Sequence, residues 1–211
     1  MKIKIYLFLL VLAISSCKVK KSVIPDETLY NNEIALENKS TKKNEIAPVN
    51  PELLTVDEKV SLLSDEASSD VSRYLDVAPE RLINEKLYSF VHYWIDVPYL
   101  WGGETYSGID CSSLVQRLYA EVYDVKLPRT SNEMFWFSNV EKFRDKKYLE
   151  EGDLIFFRID KKKTISHVGI YLQNNKFIAS GSKGVQIEDI NAPYWISTYA
   201  SCGRVIVPSK E

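Results

Sequence analysis

Two histidines and three cysteines limit the chemistry available to this chain of 211 residues. His92, His167, Cys17, Cys111 and Cys202 are too few and too scattered to build a zinc site, and neither C-x-x-C nor H-E-x-x-H spacing occurs. Cys111 opens a run in which Leu114, Val115, Leu118, Tyr119 and Val122 follow at helical intervals, which predicts an amphipathic helix from Cys111 to about Tyr123 with Asp110 as its N-cap. A free cysteine is most often a small buried hydrophobe. One at a helix start, after the tight entry Gly108-Ile109-Asp110, feels the helix dipole and unpaired N–H groups, which favour thiolate and are expected to lower its pKa. The same N–H groups suit the oxyanion formed when a thiolate attacks a carbonyl. His167 directly precedes the strand-like run Val168-Gly169-Ile170-Tyr171-Leu172, 56 positions after Cys111. An imidazole with an ordinary pKa of about 6.5 suits a general base. Nucleophile and base would then meet in space and not in sequence. His92 sits beside the apolar stripe of another expected helix and reads as a surface or packing residue.

The elements that must position this pair are legible in outline. A helix is expected from Pro79, a good first-turn residue, to about Trp94, with Ile83, Leu87, Phe90, Val91 and Trp94 on its apolar face. A helical arm is expected over residues 57–76, and Thr130-Ser131-Asn132-Glu133 has capping-box form for a short helix through Phe137. After Gly152 the pattern changes to short strand-like runs at residues 154–158, 168–172, 176–180, 184–187 and 204–207, with Asn174-Asn175 as a hairpin turn. Helices first and adjacent antiparallel strands second make an α+β domain. The four tryptophans and thirteen tyrosines fall within these elements and read as core more than as a glycan-stacking surface.

Composition narrows the function class. With 27 basic and 29 acidic residues mixed along the chain, there is no electrostatic footprint for nucleic acid. No Gly-rich phosphate loop occurs. Residues 1–16 have a basic start, a short apolar run and small residues, the form of a secretory signal peptide. The apolar run is about half of the roughly 20 residues a membrane span needs. Ile14-Ser15-Ser16-Cys17 resembles the bacterial lipobox, in which the cysteine is lipidated and becomes the new N-terminus. Lys18 in place of an aspartate favours an outer-membrane anchor facing the periplasm. Residues 17–56 are polar and broken by Pro25, Pro48 and Pro51, and read as a disordered tether.

From Pro79 to Val207 the chain resembles the NlpC-type cell-wall cysteine peptidases, which are related to papain-like enzymes. Five blocks carry the resemblance: Pro98-Tyr99-Leu100-Trp101-Gly102-Gly103; Gly108-Ile109-Asp110-Cys111-Ser112-Ser113-Leu114-Val115, similar to G-x-D-C-S-G-L-V; Leu127-Pro128-Arg129-Thr130-Ser131; Gly152-Asp153-Leu154-Ile155-Phe156-Phe157; and Ser166-His167-Val168-Gly169-Ile170-Tyr171. The resemblance implies a papain-like α+β fold over residues 79–211, behind a signal peptide, a tether and an arm at 57–78. It implies Cys111 as nucleophile, His167 as base, Tyr99 positioning substrate or stabilising the oxyanion, and Asp110 and Ser112 flanking the substrate cleft. The substrate would be peptidoglycan stem peptides, cut at the γ-D-glutamyl to diaminoacid bond by a monomer, with no metal or organic cofactor. Two positions depart from the pattern. Ser113 replaces a glycine, a mild change on a helix. Where the family carries an orienting polar residue, in the form F-[IV]-H-[AS]-S, this chain reads Phe177-Ile178-Ala179-Ser180, so that histidine is either replaced by Ala179 or deleted. Ser180, Asn191 or a backbone carbonyl would then have to orient His167. Two other readings follow: a catalytically weak lipoprotein that holds the cell wall, and an amidase or acyl-transfer enzyme on the same fold.

Replacing Cys17 with Ser is expected to move the protein from the membrane fraction to the soluble fraction. Wild-type protein that already fractionates as soluble, with no acyl mass on its N-terminus, would contradict lipidation.

Overall fold

Between Leu154 and Phe157 four successive residues are fully buried, which requires cover on both faces of the strand they form. The computed structural model describes residues 51–61, 65–160 and 164–206. The signal peptide, Cys17 and the tether up to residue 50 lie outside the described residues, as does Val207. In chain order the helices are α1 (Val56–Ser61), α2 (Asp65–Leu75), α3 (Glu85–Trp94), α4 (Cys111–Tyr123), α5 (Ser131–Trp136) and α6 (Pro193–Thr198). The strands are β1 (Glu104–Thr105), β2 (Gly108–Ile109), β3 (Val140–Phe143), β4 (Leu154–Phe157), β5 (His167–Tyr171), β6 (Lys176–Gly181), β7 (Gly184–Asp189) and β8 (Tyr199–Val205). β1 and β2 form a small hairpin; the other six strands form one antiparallel sheet in the order β3-β8-β4-β5-β6-β7. The expected α+β architecture is the one found.

The period-2 alternation of the strands divides the apolar residues between two layers. Leu154, Phe156, Val168, Ile170 and Ile178 face the helices, where Leu114, Val115 and Leu118 of α4 and Leu87, Val91 and Trp94 of α3 complete the main core. Ile155, Phe157, Phe177 and Ala179 point the other way and pack with Ile190 and with Trp195 of α6. His167 pairs with Phe157 across β4 and β5. The register Ile170↔Ile178 and Tyr171↔Phe177 brings Gly169 opposite Ala179 by continuation. His167, Gly169 and Ala179 therefore share the face that α6 covers.

Several expectations are met closely and some are corrected. α4 spans Cys111–Tyr123 with Asp110 as N-cap, its side chain accepting the Ser113 N–H at 2.8 Å. The Thr130–Glu133 capping box is present and starts α5. Asn174 and Asn175 both have positive φ, as a tight hairpin turn requires. Pro79, however, starts only the 3-10 turn Pro79–Arg81; the helix begins at Glu85, where the Asn84 side chain caps it by accepting the Leu87 N–H at 3.2 Å. Ile83 falls between the two and is 86% exposed, not on a buried face. The stretch read as tether is structured at its end: Pro51–Leu53 is a 3-10 turn, and Thr55 and Glu58 cap one another to start α1. Lys59 of α1 bonds Glu121 of α4 at 3.0 Å. The expected arm is two helices, α1 and α2, and β3 and α6 were not foreseen. Among the described residues no helix is long and apolar enough to cross a membrane.

Leu118→Ala is expected to cost about 2–5 kcal/mol of unfolding free energy by opening a cavity under the sheet. Ile83→Ala is expected to change it by less than about 0.5 kcal/mol. Urea titrations of the two variants against wild type measure both.

Candidate active site

The entry to α4 is held by backbone bonds from the loop that precedes it. Leu100 N–H bonds the Ile109 carbonyl, Ile109 N–H bonds the Pro98 carbonyl, and Asp110 N–H bonds the Gly103 carbonyl. The approach is so close that a Cβ on Gly103 would run into the Gly108 carbonyl oxygen, and Gly102 turns with a φ of +73°. This explains the paired glycines of the Trp101-Gly102-Gly103 block. The Asp110 carboxylate gathers the entry: it accepts the Gly102 N–H at 3.1 Å, the Ser112 hydroxyl at 2.9 Å, and the Arg129 guanidinium at 2.6 and 3.2 Å. Burial opposes its ionisation, but Arg129 and the Ser113 and Ser112 donors hold the carboxyl below its ordinary range. Arg129 also bonds Ser112 Oγ at 2.9 Å and Glu104 at 3.1 Å.

Cys111 lies at the head of α4, beside the start of β5. Burial pushes its thiol up to about 11, although the Val168 N–H, and then those of Ser112 and Cys111 itself, favour the thiolate. The lowered pKa expected from the helix terminus is therefore corrected: the donors are in place, but loss of water outweighs them. The Val168 contact puts the sulfur next to the residue that follows His167. The His167 side chain is buried, and burial pushes it down to about 4. Its Nε2 has no hydrogen-bond partner among the described residues. Trp195 stacks on the imidazole with ring centroids 5.4 Å apart and planes 19° from parallel, while Phe157 lies at 5.9 Å on a tilt. Tyr99 is part-exposed; burial raises its phenol, and Cys111 and then Asp110 push it in the same direction.

Cys111, His167, Tyr99, Asp110 and Ser112 all line one cleft of about 870 Å³. His92 does not line that cleft; it lies half-buried on α3 with its ring edge against Tyr93. Ala179 lines the cleft on the His167 face, so the missing family histidine is replaced in place by a methyl group. Neither alternative orienter reaches the base. Ser180 faces the helix layer and donates to the Ile109 carbonyl at 2.7 Å, and exposed Asn191 accepts from Lys146 at 3.3 Å. Sequence reasoning gave no role to Arg129, although it quoted the block that contains it, nor to Trp195. Only the pairing of Arg129 with Asp110 and Ser112 in space reveals its task. Among the described residues no three His, Cys, Asp or Glu side chains cluster as a metal site.

Comparison with known proteins agrees with this geometry. The NlpC/P60 family model matches residues 96–204. Murein DD-endopeptidase MepH of Escherichia coli K12 is 34% identical over 149 residues, 69% of this chain and 51% of its own. The E. coli K12 protein named murein DD-endopeptidase MepS/murein LD-carboxypeptidase is 42% identical over 114 residues, 54% of this chain and 58% of its own. The chain thus spans only about half to three-fifths of the length of these relatives. A solved NlpC/P60 family protein from Bacillus cereus ATCC 10987 superposes with a TM-score of 0.51 at 30% identity, covering 58% of this chain and 39% of the other. The fold is the papain-like α+β type expected.

Iodoacetamide is expected to label Cys111 before Cys202, because Cys111 is partly exposed and Cys202 fully buried. With a thiol displaced to about 11, the Cys111 rate should climb about tenfold per pH unit from neutrality into the alkaline range. A rate already at its plateau at pH 7, measured by peptide mass spectrometry, would show a preformed thiolate instead.

Proposed function

Because the chain belongs to the NlpC/P60 family, we propose that it is a peptidoglycan hydrolase, a thiol-dependent endopeptidase that cuts stem peptides with Cys111 as nucleophile and His167 as base. The observation that carries this reading is the convergence of the Cys111 sulfur, the start of β5 bearing His167, and the free N–H groups of the α4 terminus in one cleft. Both reactive groups rest uncharged, since burial raises the thiol and lowers the imidazole. The thiol proton passes to His167 as the sulfur attacks the peptide carbonyl, so charge separates only when substrate is present. The oxyanion faces the N–H groups of Cys111 and Ser112, with the Tyr99 hydroxyl on the same side. His167 returns the proton to the leaving amine, which departs and leaves a thioester on Cys111. Water, deprotonated by His167, attacks that thioester; the acid product leaves and the thiol is restored.

The cleft has the form a branched, charged peptide needs. One wall is the Asp110–Arg129 pair, which presents fixed polar groups beside the sulfur. The rim is apolar, with Trp101 86% exposed and Tyr194 also open to solvent. The γ-D-glutamyl to diaminoacid bond is the expected target. The relatives' names specify DD-endopeptidases, which makes a bond between D-configured residues the second target to examine. Lipidation at Cys17 would hold the enzyme at the envelope, on the outer membrane, with the chain up to Pro51 as its reach toward the wall. The competing reading, a wall-binding protein with little catalysis, is favoured by one observation: position 179 offers no polar group to His167.

Purified muropeptides, both uncrosslinked and crosslinked, should be cleaved by wild-type protein, and the mass of the fragments identifies the bond. Cys111→Ala should abolish cleavage, and His167→Ala should reduce it about 100-fold or more. Wild type that binds muropeptides and leaves them intact would sink the peptidase reading and establish the binding one.

A further inference from the structure

His167 has an unusual setting for a base. It is 3% exposed, and its Nε2 finds no hydrogen-bond partner among the described residues. A buried polar atom left without a partner calls for a physical reason. Beside it, on the same face of the sheet and one strand over, the residue available to bond it is Ala179, which has no polar atom. What meets the imidazole is an aromatic surface. The Trp195 indole lies nearly parallel to it at 5.4 Å, and Phe157 closes on it at a tilt.

Trp195 is itself held. It lies on α6, the helix that crosses the His167 face of the sheet, and its indole N–H donates to Glu188 Oε2 on β7 at 3.3 Å. Phe177 and Tyr194 meet its edge and Phe157 its flank. Contacts from the three strands β4, β6 and β7 and from Tyr194 of its own helix therefore fix the orientation of the indole. A fixed ring stacked on an imidazole restricts its rotation about χ2. The face of an aromatic ring also attracts a cation within about 6 Å, most strongly for Trp. A carboxylate accepting the indole N–H increases the negative character of that face. Orientation of the imidazole and stabilisation of the imidazolium are the two tasks of the third group in a nucleophile–base–orienter triad.

We propose that Trp195, tied by Glu188, is the positioning residue of His167, and that its indole face takes over the orienting task for which Ala179 supplies no polar group. The proposal deepens the peptidase reading above and rests on it for its consequence in turnover. The geometry at His167 stands whether or not muropeptides are cut. The charged and titratable groups around the base belong to several elements: Cys111 and Asp110 at the head of α4, Tyr99 before it, Arg129 before α5, Lys183 between β6 and β7, Glu188 on β7 and Tyr194 on α6, all of which line the cleft. Glu188 alone among them also bonds the Trp195 indole.

The test reads His167 directly. Only two histidines are present, so a His92→Gln background leaves His167 as the single imidazole in an NMR titration. Trp195→Leu keeps the cover apolar and removes the ring. It should lower the His167 midpoint by about one pH unit, with Trp195→Phe in between. On muropeptides it should lower kcat about tenfold or more with KM changed less than about twofold. Adding Ala179→His to Trp195→Leu should restore both the midpoint and the turnover, which a merely structural role for Trp195 would not allow. If Trp195→Leu does not fold, Trp195→Phe and Glu188→Gln decide through a smaller drop in the same midpoint. An unchanged His167 midpoint in the folded variants overturns the proposal, as does a loss that Ala179→His does not repair. Wild type that cuts no muropeptide overturns the peptidase reading alone, since the titration still measures what Trp195 does to the base.

Discussion

The carboxylate of Asp110 holds the catalytic half of this domain in register. One side chain caps α4 through the Ser113 N–H, anchors the Gly102 turn, fixes the Ser112 hydroxyl and accepts both arms of Arg129. These groups come from three local segments: the loop before the helix, the helix itself, and the loop before α5. Pairing with Arg129 keeps the acid ionised despite burial, so the cap is charged and its bonds are of the stronger kind. The Cys111 backbone is thereby committed to the helix start, with the Cys111 and Ser112 N–H groups at the sulfur. Gly103 is needed because a Cβ there would run into the Gly108 carbonyl oxygen, and Gly102 because the turn takes a φ of +73°.

Across the cleft the logic is inverted. The cysteine side is polar and crowded with donors, and the histidine side is an aromatic layer of Phe157, Phe177 and Trp195 around Ala179. Burial drives both partners toward their neutral forms, the thiol upward and the imidazole downward. Neither has a counter-charge close enough to reverse this. The N–H groups of Val168, Ser112 and Cys111 favour a thiolate and are already in place, although burial outweighs them.

What could be read in the sequence depended on the range of the interaction. α4 was legible to the residue because six apolar positions at helical spacing and a capping aspartate all act within four residues of one another. The Asn174-Asn175 turn and the Thr130 capping box were legible for the same reason. Ile83 misled because helical spacing ran through a break set by the Asn84 side chain, and spacing alone does not see a cap that restarts a helix. β8 was expected only from Arg204, since Ala200-Ser201-Cys202-Gly203 carries little strand preference and is held by β4 and β3 on either side. The pairing of Asp153 with Arg204 and of Asp110 with Arg129 has no period at all. The thiol pKa shows the same limit: the helix terminus was visible locally, and the burial that outweighs it was not. At Ala179 the sequence left substitution and deletion open, and the face on which the side chain falls decides for substitution.

The position of β8 has a consequence in time. The strand formed by Tyr199–Val205 is not at an edge; it lies between β3 and β4 and pairs with both. The polypeptide leaves the ribosome from its N-terminus, so Cys111, His167 and nearly all the cleft exist before the strand that joins β3 to the rest of the sheet. Until Val205 has emerged, β3 has no neighbour and one edge of β4 stays bare. The strand carrying the base then hangs on an incomplete sheet. Among the described residues, the last strand to appear is thus the one that closes the sheet.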